Sequence, residues 1–221
     1  MRRVEPTERT RVRRLPERGV YDRTVIDAIL DEALVCHLAT LVDGSPRVIP
    51  TIHARVGDAL YVHGSPASGT LRALREGAEV CLAATLVDGL VLARSGFHSS
   101  INYRSVIVYG RAREVTDPEE KRRAQAALVD HVAPGRSAEV RPPTDRELRQ
   151  TAIFAIPLDE ASAKVRTGPP VDDEEDLGLP IWAGVLPLRT VVGPPEADPR
   201  LPPGIGPPES VLRYRRPGAP G

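Results

Sequence analysis

The stretch ALVCHLATLVDGSPRVIPTIHARVGDALYVHGS, residues 33–65, decides the fold. Its first ten residues are rich in β-formers and stop at Asp43-Gly44, a dipeptide suited to the positive-φ turn of a hairpin. Arg47 to Ala54 reads as the returning strand, and Val56-Gly57-Asp58 turns the chain into a third strand, Ala59 to His63. Three strands in meander order over 34–63 make an antiparallel β start.

Upstream, Thr24 and Asp27 resemble a capping box, and Val25, Ile26, Ile29, Leu30 and Ala33 recur at helical spacing, so a short amphipathic helix opens the domain. Downstream, Gly64 to Thr70 is a small-residue turn, followed by Leu71, Leu74 and Ala78 on a short helix. Val35-Cys36 and Ala39 to Gly44 recur forty-five positions later as Val80-Cys81 and Ala84 to Gly89, which predicts a second hairpin turning at Asp88-Gly89. A β run from Ile101 to Val115, a helix from Pro118 to about Val132, an exposed loop over 134–146 and a final strand from Thr151 to Arg166 complete the pattern. The sum is six or seven strands with peripheral helices, mainly β with some α. Antiparallel strands that must hide their edges favour a barrel at this size. The expected division is a mobile N-terminal arm over 1–20, one domain over 21–190 and a Pro/Gly-rich C-terminal tail over 191–221.

Composition narrows the function. Thirty basic and thirty acidic side chains cancel, so no global field steers the chain onto nucleic acid or anionic lipid, and any bound anion must be held locally. Aromatic content of 4% is too low for a platform that stacks single-stranded bases. Cys36 and Cys81 offer neither a disulfide framework nor a CxxC site, and no histidine pair has HxxxH spacing, so no metal is expected. There is no apolar leader and no run of eighteen apolar residues, which fits a cytoplasmic protein with no membrane role.

Two segments carry candidate chemistry. In the turn after His63, the hydroxyls of Ser65, Ser68 and Thr70 and the glycines Gly64 and Gly69 suit a phosphate, although GxxxxGK[ST] and GxGxxG are absent. Arg47, Arg72, Arg75, Arg94 and Arg104 stand at element edges, where a guanidinium fork matches phosphate or is simply solvated. The second segment, Arg94 to Ser105, gathers polar heads between two β runs. Asn102, Tyr103, Arg104 and Ser105 supply the donors that a flavin's ring and ribityl phosphate require, as would a merely polar hairpin loop.

From Arg23 to Leu188 the chain resembles the pyridoxamine 5'-phosphate oxidase-like flavoproteins, in the branch that contains nitroimidazole-reductase-like proteins. The marks are Arg47-Val48-Ile49-Pro50, His63-Gly64-Ser65, Phe97 to Val106 followed by Gly110-Arg111-Ala112, Ser162 to Gly168, and Trp182-Ala183-Gly184-Val185. The resemblance implies a six-stranded antiparallel split barrel that forms a homodimer, with flavin mononucleotide (FMN) in clefts between subunits. It implies that Arg47, Val48, Ile49 and Pro50 run along the flavin, that Ser65, Ser68 and Thr70 beside His63 face the phosphate, and that Arg166 and Trp182 reach the flavin from the partner. Arg104 and Ser105 match an Arg-Gln pair of the oxidases, with serine departing at the second position. The arginine signature with which true oxidases hold their vitamin B6 substrate is not recognisable. The expected function is an FMN-dependent oxidoreductase of a small molecule, with no catalytic residue assigned. The alternatives are a flavin carrier or sensor without turnover, or the same barrel holding F420 or haem.

Overall fold

The computed structural model describes residues 2–215. Asp43 (φ 50) and Gly44 (φ 74) take the positive-φ conformations that a two-residue hairpin turn demands, and they join β2 (Cys36–Val42) to β3 (Ser45–Thr51). The ladder closes on Val42 opposite Ser45 and runs to Cys36 opposite Thr51. This is the hairpin that the opening stretch predicts.

Two antiparallel sheets form around it. After β1 (Gly19–Val20) comes helix α1 (Arg23–Glu32), and beyond β3 lie β4 (His53–Val56), β5 (Ala59–Gly64) and helix α2 (Gly69–Arg75). The long strands β6 (Glu79–Leu92) and β7 (Ser100–Arg111) follow, then β8 (Arg113–Glu114) and helices α3 (Pro118–Val132) and α4 (Asp145–Arg149). Strands β9 (Ala152–Pro157), β10 (Glu160–Arg166) and β11 (Gly184–Pro187) and the short α5 (Glu209–Leu212) complete the order. The larger sheet runs β1-β10-β7-β6-β2-β3, with β11 added on β6, and the smaller runs β4-β5-β9-β8. The two sheets enclose one main core that includes Leu38, Leu60, Leu82, Val106, Phe154 and Ile156, with α1 closing it through Ile26, Ile29 and Leu30. This is a mainly β split barrel whose strands outnumber the expected six.

Three local expectations are corrected. The cap of α1 is Asp22, whose carboxylate accepts from the Thr24 N–H, while Asp27 instead receives the Arg23 guanidinium. No turn forms at Asp88-Gly89: β6 continues through it with only a bulge between Val87 and Gly89. There β11 pairs onto β6, and a Cβ on Gly89 would lie 3.1 Å from the Leu186 carbonyl oxygen, so this glycine serves close strand approach. The Thr151–Arg166 run is two strands, because β9 and β10 belong to different sheets and the chain crosses between them at Leu158-Asp159.

The loop over 134–146 ends in a capping box, with Thr144 and Glu147 satisfying each other's backbone N–H at the start of α4. The N-terminal arm lies on the body: Arg3 bridges to Asp22, Val4 and Thr10 are buried, and β1 pairs with β10. In the C-terminal tail, Ser210 is buried against the Glu139 carboxylate, and the last six residues, 216–221, lie outside the described residues, as does Met1. Among the described residues no helix is long and apolar enough to cross a membrane.

Candidate functional site

β3 is the free edge of the larger sheet, and nearly every side chain on it is exposed. Pro46 and Pro50 remove two N–H groups from that edge, which discourages a further strand and leaves the backbone around Arg47, Val48 and Ile49 open to a ligand. Register fixes which way these side chains face. Arg47 stands opposite Thr40, and Ile49 opposite Leu38. Thr40 and Leu38 are buried on the face that carries α2 and the core, so Arg47 and Ile49 share that face. Val48 and Pro50 point to the other, solvent side, where Val48 is 59% exposed.

α2 rises beside this hairpin. The turn leading into it contains His63, exposed at the end of β5, then Ser65 and the half-buried Ser68, while Thr70 is buried. A cleft of ≈ 600 Å³ opens between the hairpin tip and α2, lined by Leu41, Val42 and Asp43 on one wall and by Gly69, Arg72 and Glu76 on the other. Gly69 is placed so that a Cβ would come only to 3.8 Å from Val42 and 3.9 Å from the Arg72 guanidinium, which leaves the cleft floor open. Neither Arg47 nor Arg72 has a hydrogen-bond or ion-pair partner among the described residues. Most arginines of this chain are paired with carboxylates, so two unpaired ones beside a hydroxyl-bearing turn are free to take an anion. Arg72, one of the edge arginines singled out from sequence, returns to the turn because Ser68-Gly69 opens α2 and the side chain stands at i+4 and i+3 from them. His63 is exposed, but the elements around it partly desolvate its ring, and that alone lowers its pKa below the ordinary value.

Asn102, Tyr103, Arg104 and Ser105 stand on β7, at a distance from this cleft. The row containing Arg47 continues through Thr40 and Val80 to Gly110. Arg104 is six positions along β7 from that row, roughly 20 Å, and three strands across from β3, roughly 14 Å. One flavin cannot span both groups within a single chain.

The β7 group is also engaged internally. Arg104 donates to Asp88 at 2.9 and 2.7 Å and to both carboxylate oxygens of Glu32, and these hydrogen bonds raise its pKa above the ordinary arginine value. Asn102 is buried: its amide donates to the Gly168 carbonyl at 3.1 Å, and its oxygen accepts from Arg166. Arg166, also buried, donates in addition to the Pro169 carbonyl at 3.3 Å, and desolvation lowers its pKa. These two side chains hold the turn after β10. The β6–β7 loop is tied to the same segment, because Arg94 binds Asp172 through its N–H and guanidinium, and His98 bonds Asp173 at 3.0 Å. Burial would raise the Asp172 pKa, but the Arg94 backbone and side chain outweigh it and hold it low. Tyr103 is half-buried opposite Arg166, the Ser105 hydroxyl donates to the Lys164 carbonyl at 3.3 Å, and Trp182 is 69% exposed with its indole laid on Gly184. Glu32 and Asp88, the partners of Arg104, carry no sequence signal, because only the fold brings them together.

The two sheets and the arginine-bearing edge define a split-barrel protein with a cleft at the β2–β3 hairpin. Residues 22–165 match the family model described as pyridoxamine 5'-phosphate oxidase, and the chain belongs to that family. It is similar to a flavocytochrome from Azotobacter vinelandii at 42% identity and a TM-score of 0.90, the match covering 95% of this chain and 98% of that one. A FAD and haem binding protein from Mycobacterium smegmatis matches at 39% identity and a TM-score of 0.86, over 89% of this chain and 97% of that one. A candidate 5-nitroimidazole antibiotic resistance protein from Bacteroides thetaiotaomicron matches at 25% identity and a TM-score of 0.57, over 66% and 86%. No curated protein matches the chain.

Proposed function

We propose that this chain is a flavin-dependent redox protein acting on a small molecule. Arg47, Arg72 and Ser68 would hold the flavin phosphate, and the β3 edge would carry its ring. The observation that carries this reading is that two arginines with no partner among the described residues, Arg47 on β3 and Arg72 on α2, lie on the same side of the hairpin, next to an open edge strand. The phosphate end finds cations and hydroxyls, and the ring finds Val48, Ile49 and backbone groups unused by any ladder. When bound, the flavin supplies the hydride or electron transfer, and the chain's own residues bind it, orient it and limit its exposure to water. The Mycobacterium smegmatis relative, a FAD and haem binding protein, favours FAD over the FMN implied by the sequence resemblance.

The active form in this reading is a homodimer. The roughly 20 Å offset between the β3 site and the Asn102–Ser105 group is bridged if a two-fold axis sets one protomer's β7 end and Trp182 against its partner's β3. The solvent face of the larger sheet supports this, since Leu41, Val48, Val87 and Ile107 are exposed on it at 59, 59, 44 and 38%.

A second reading adds haem to the flavin and rests on the two relatives of highest identity described above, a flavocytochrome and a FAD and haem binding protein. The chain has axial-ligand chemistry to offer. His53 and His131 pack on each other and bond the Leu30 and Ala33 carbonyls at 2.9 Å, whereas His37 and His63 have no hydrogen-bond partner among the described residues and His98, at a loop, uses only Nε2 on Asp173. One experiment tests both readings: the absorbance spectrum and ligand mass of the purified protein, followed by anaerobic reduction with NADH or NADPH. Flavin bands bleached by the donor support the redox reading, an added Soret band supports haem, and colourless protein that takes up no flavin on titration overturns both.

A further inference from the structure

A basic groove lies at the other margin of the larger sheet. The arm segment Arg9–Arg14 crosses the solvent face of β7 and β10 and encloses a groove of ≈ 230 Å³. Its floor is set by register: Ser105 stands opposite Lys164, and Ile107 opposite Ser162. Five basic residues line it, Arg9, Arg11, Arg13, Arg14 and Lys164, and no acidic residue does. In a chain of zero net charge that is a strong local concentration.

Not all of this charge is free. Arg9 stacks over Tyr109 and pairs with Glu160 and Glu79, and Arg13 leans on Glu8 at 3.3 Å. Arg11 and Arg14 have no side-chain partner among the described residues, and Lys164 spends one of its three N–H groups on the Arg14 carbonyl. The second observation is Ser162. It is only 7% exposed and lines the groove, and its hydroxyl has no hydrogen-bond partner among the described residues. A hydroxyl on the floor of a basic groove with no partner among the described residues is placed to donate to the oxygen of a bound anion.

We propose that this groove binds the phosphate of a phosphorylated small molecule, with Ser162 donating from the floor and Arg11, Arg14 and Lys164 closing on the charged oxygens. Its volume lies below the roughly 300–1,000 Å³ of whole-ligand pockets, so it takes a pyrophosphate or sugar phosphate and not an entire dinucleotide. The phosphate has two possible sources. One is the pyrophosphate of a flavin dinucleotide held by a second copy, which rests on the dimeric flavin reading above; the other is a separate phosphorylated molecule, which does not.

The test is calorimetric titration of inorganic pyrophosphate into the full-length protein as purified, at low and high salt. One saturable site per chain is expected, weakened by high salt. Arg11→Gln with Arg14→Gln should raise Kd about tenfold or more, the effect of losing charge-assisted hydrogen bonds. Ser162→Ala should raise it severalfold, and Arg146→Gln with Arg149→Gln on α4 should leave it unchanged. Both arginine pairs are exposed, so the fold does not depend on them. Release of bound flavin during the titration assigns the site to the dinucleotide, and retention assigns it to a separate molecule. Absence of saturable binding, or equal affinity in the Arg11/Arg14 variant, overturns the proposal.

Discussion

Arg104 on β7 donates to Asp88 on β6 at 2.9 and 2.7 Å, across the bulge that carries β6 past Gly89. The same guanidinium also binds Glu32 at the end of α1, so one side chain ties a helix and two strands. Arg104→Ala would leave two half-buried carboxylates beside each other without their cation. A loss of about 1–3 kcal/mol in folding stability is expected, read as a lower urea midpoint at unchanged slope. An unchanged midpoint would show that the three groups contribute nothing as a network.

Arg47→Ala and Arg72→Ala should behave in the opposite way. Neither guanidinium has a partner to abandon, so thermal stability without ligand should hold while flavin affinity falls by about 1.5–3 kcal/mol for each variant. Flavin fluorescence quenching measures this directly. If both variants bind flavin as tightly as the parent, the phosphate lies elsewhere and the β3 assignment is wrong.

These contrasts show where the sequence was legible. Asp43-Gly44 announced its hairpin because positive φ at two consecutive positions is a strictly local demand. Asp88-Gly89, the same dipeptide, turned nothing, since β11, almost a hundred residues later, arrives to pair there and Arg104 claims the aspartate. Arg47 reads from sequence as the start of the returning strand, and its place on the sheet edge comes from the topology. Arg104 could not be separated from it by chemistry, because only the β6 and β7 registers place it a strand-length away among carboxylates. Arg166 and Asn102 likewise looked like ligand donors, and the fold directs them first at each other. Long-range pairing decides such cases, and a single sequence does not print it.

His63 should resist protonation. Burial lowers its pKa below the ordinary 6.5, so the folded state favours the neutral ring. Stability linked to this group is therefore full above pH 6.5 and is lost as pH falls from 6.5 through the lower folded value, because the unfolded chain takes up the proton first. A histidine-edited NMR titration should give a His63 midpoint below that of His63 in the unfolded chain, and His63→Gln should flatten the acid limb of the stability profile. A midpoint at or above 6.5 contradicts the partial desolvation of the ring.

The three histidines with an available ring nitrogen also separate the haem reading by substitution. If haem binds, one of His37→Ala, His63→Ala and His98→Ala should abolish or shift the Soret band while leaving the flavin bands in place, since an axial nitrogen sets the iron's field. His98→Ala should in addition loosen the β6–β7 loop, because its bond to Asp173 is lost along with the ring. A Soret band unmoved by all three variants would exclude histidine from this group as the ligand.

Gly89 gives the most local test of how β11 is held. A Cβ there would sit 3.1 Å from both the Leu186 carbonyl oxygen and Val185 Cγ1, tighter than ordinary van der Waals contact. Alanine requires a shift of a few tenths of an ångström in β11, and valine would force the strand off β6. Trp182 stands two residues before β11, is the only tryptophan in the chain, and lays its ring on Gly184, the first residue of that strand. Its fluorescence therefore reports the strand's attachment without any added label. Gly89→Val should lower tryptophan anisotropy as the indole leaves Gly184, with Gly89→Ala intermediate. Because the main core lies on β2, β5, β6, β7 and β9, the urea midpoint should fall by no more than about 1–3 kcal/mol equivalent. Unchanged anisotropy in the valine variant would mean that β11 is fixed by contacts other than its ladder to β6.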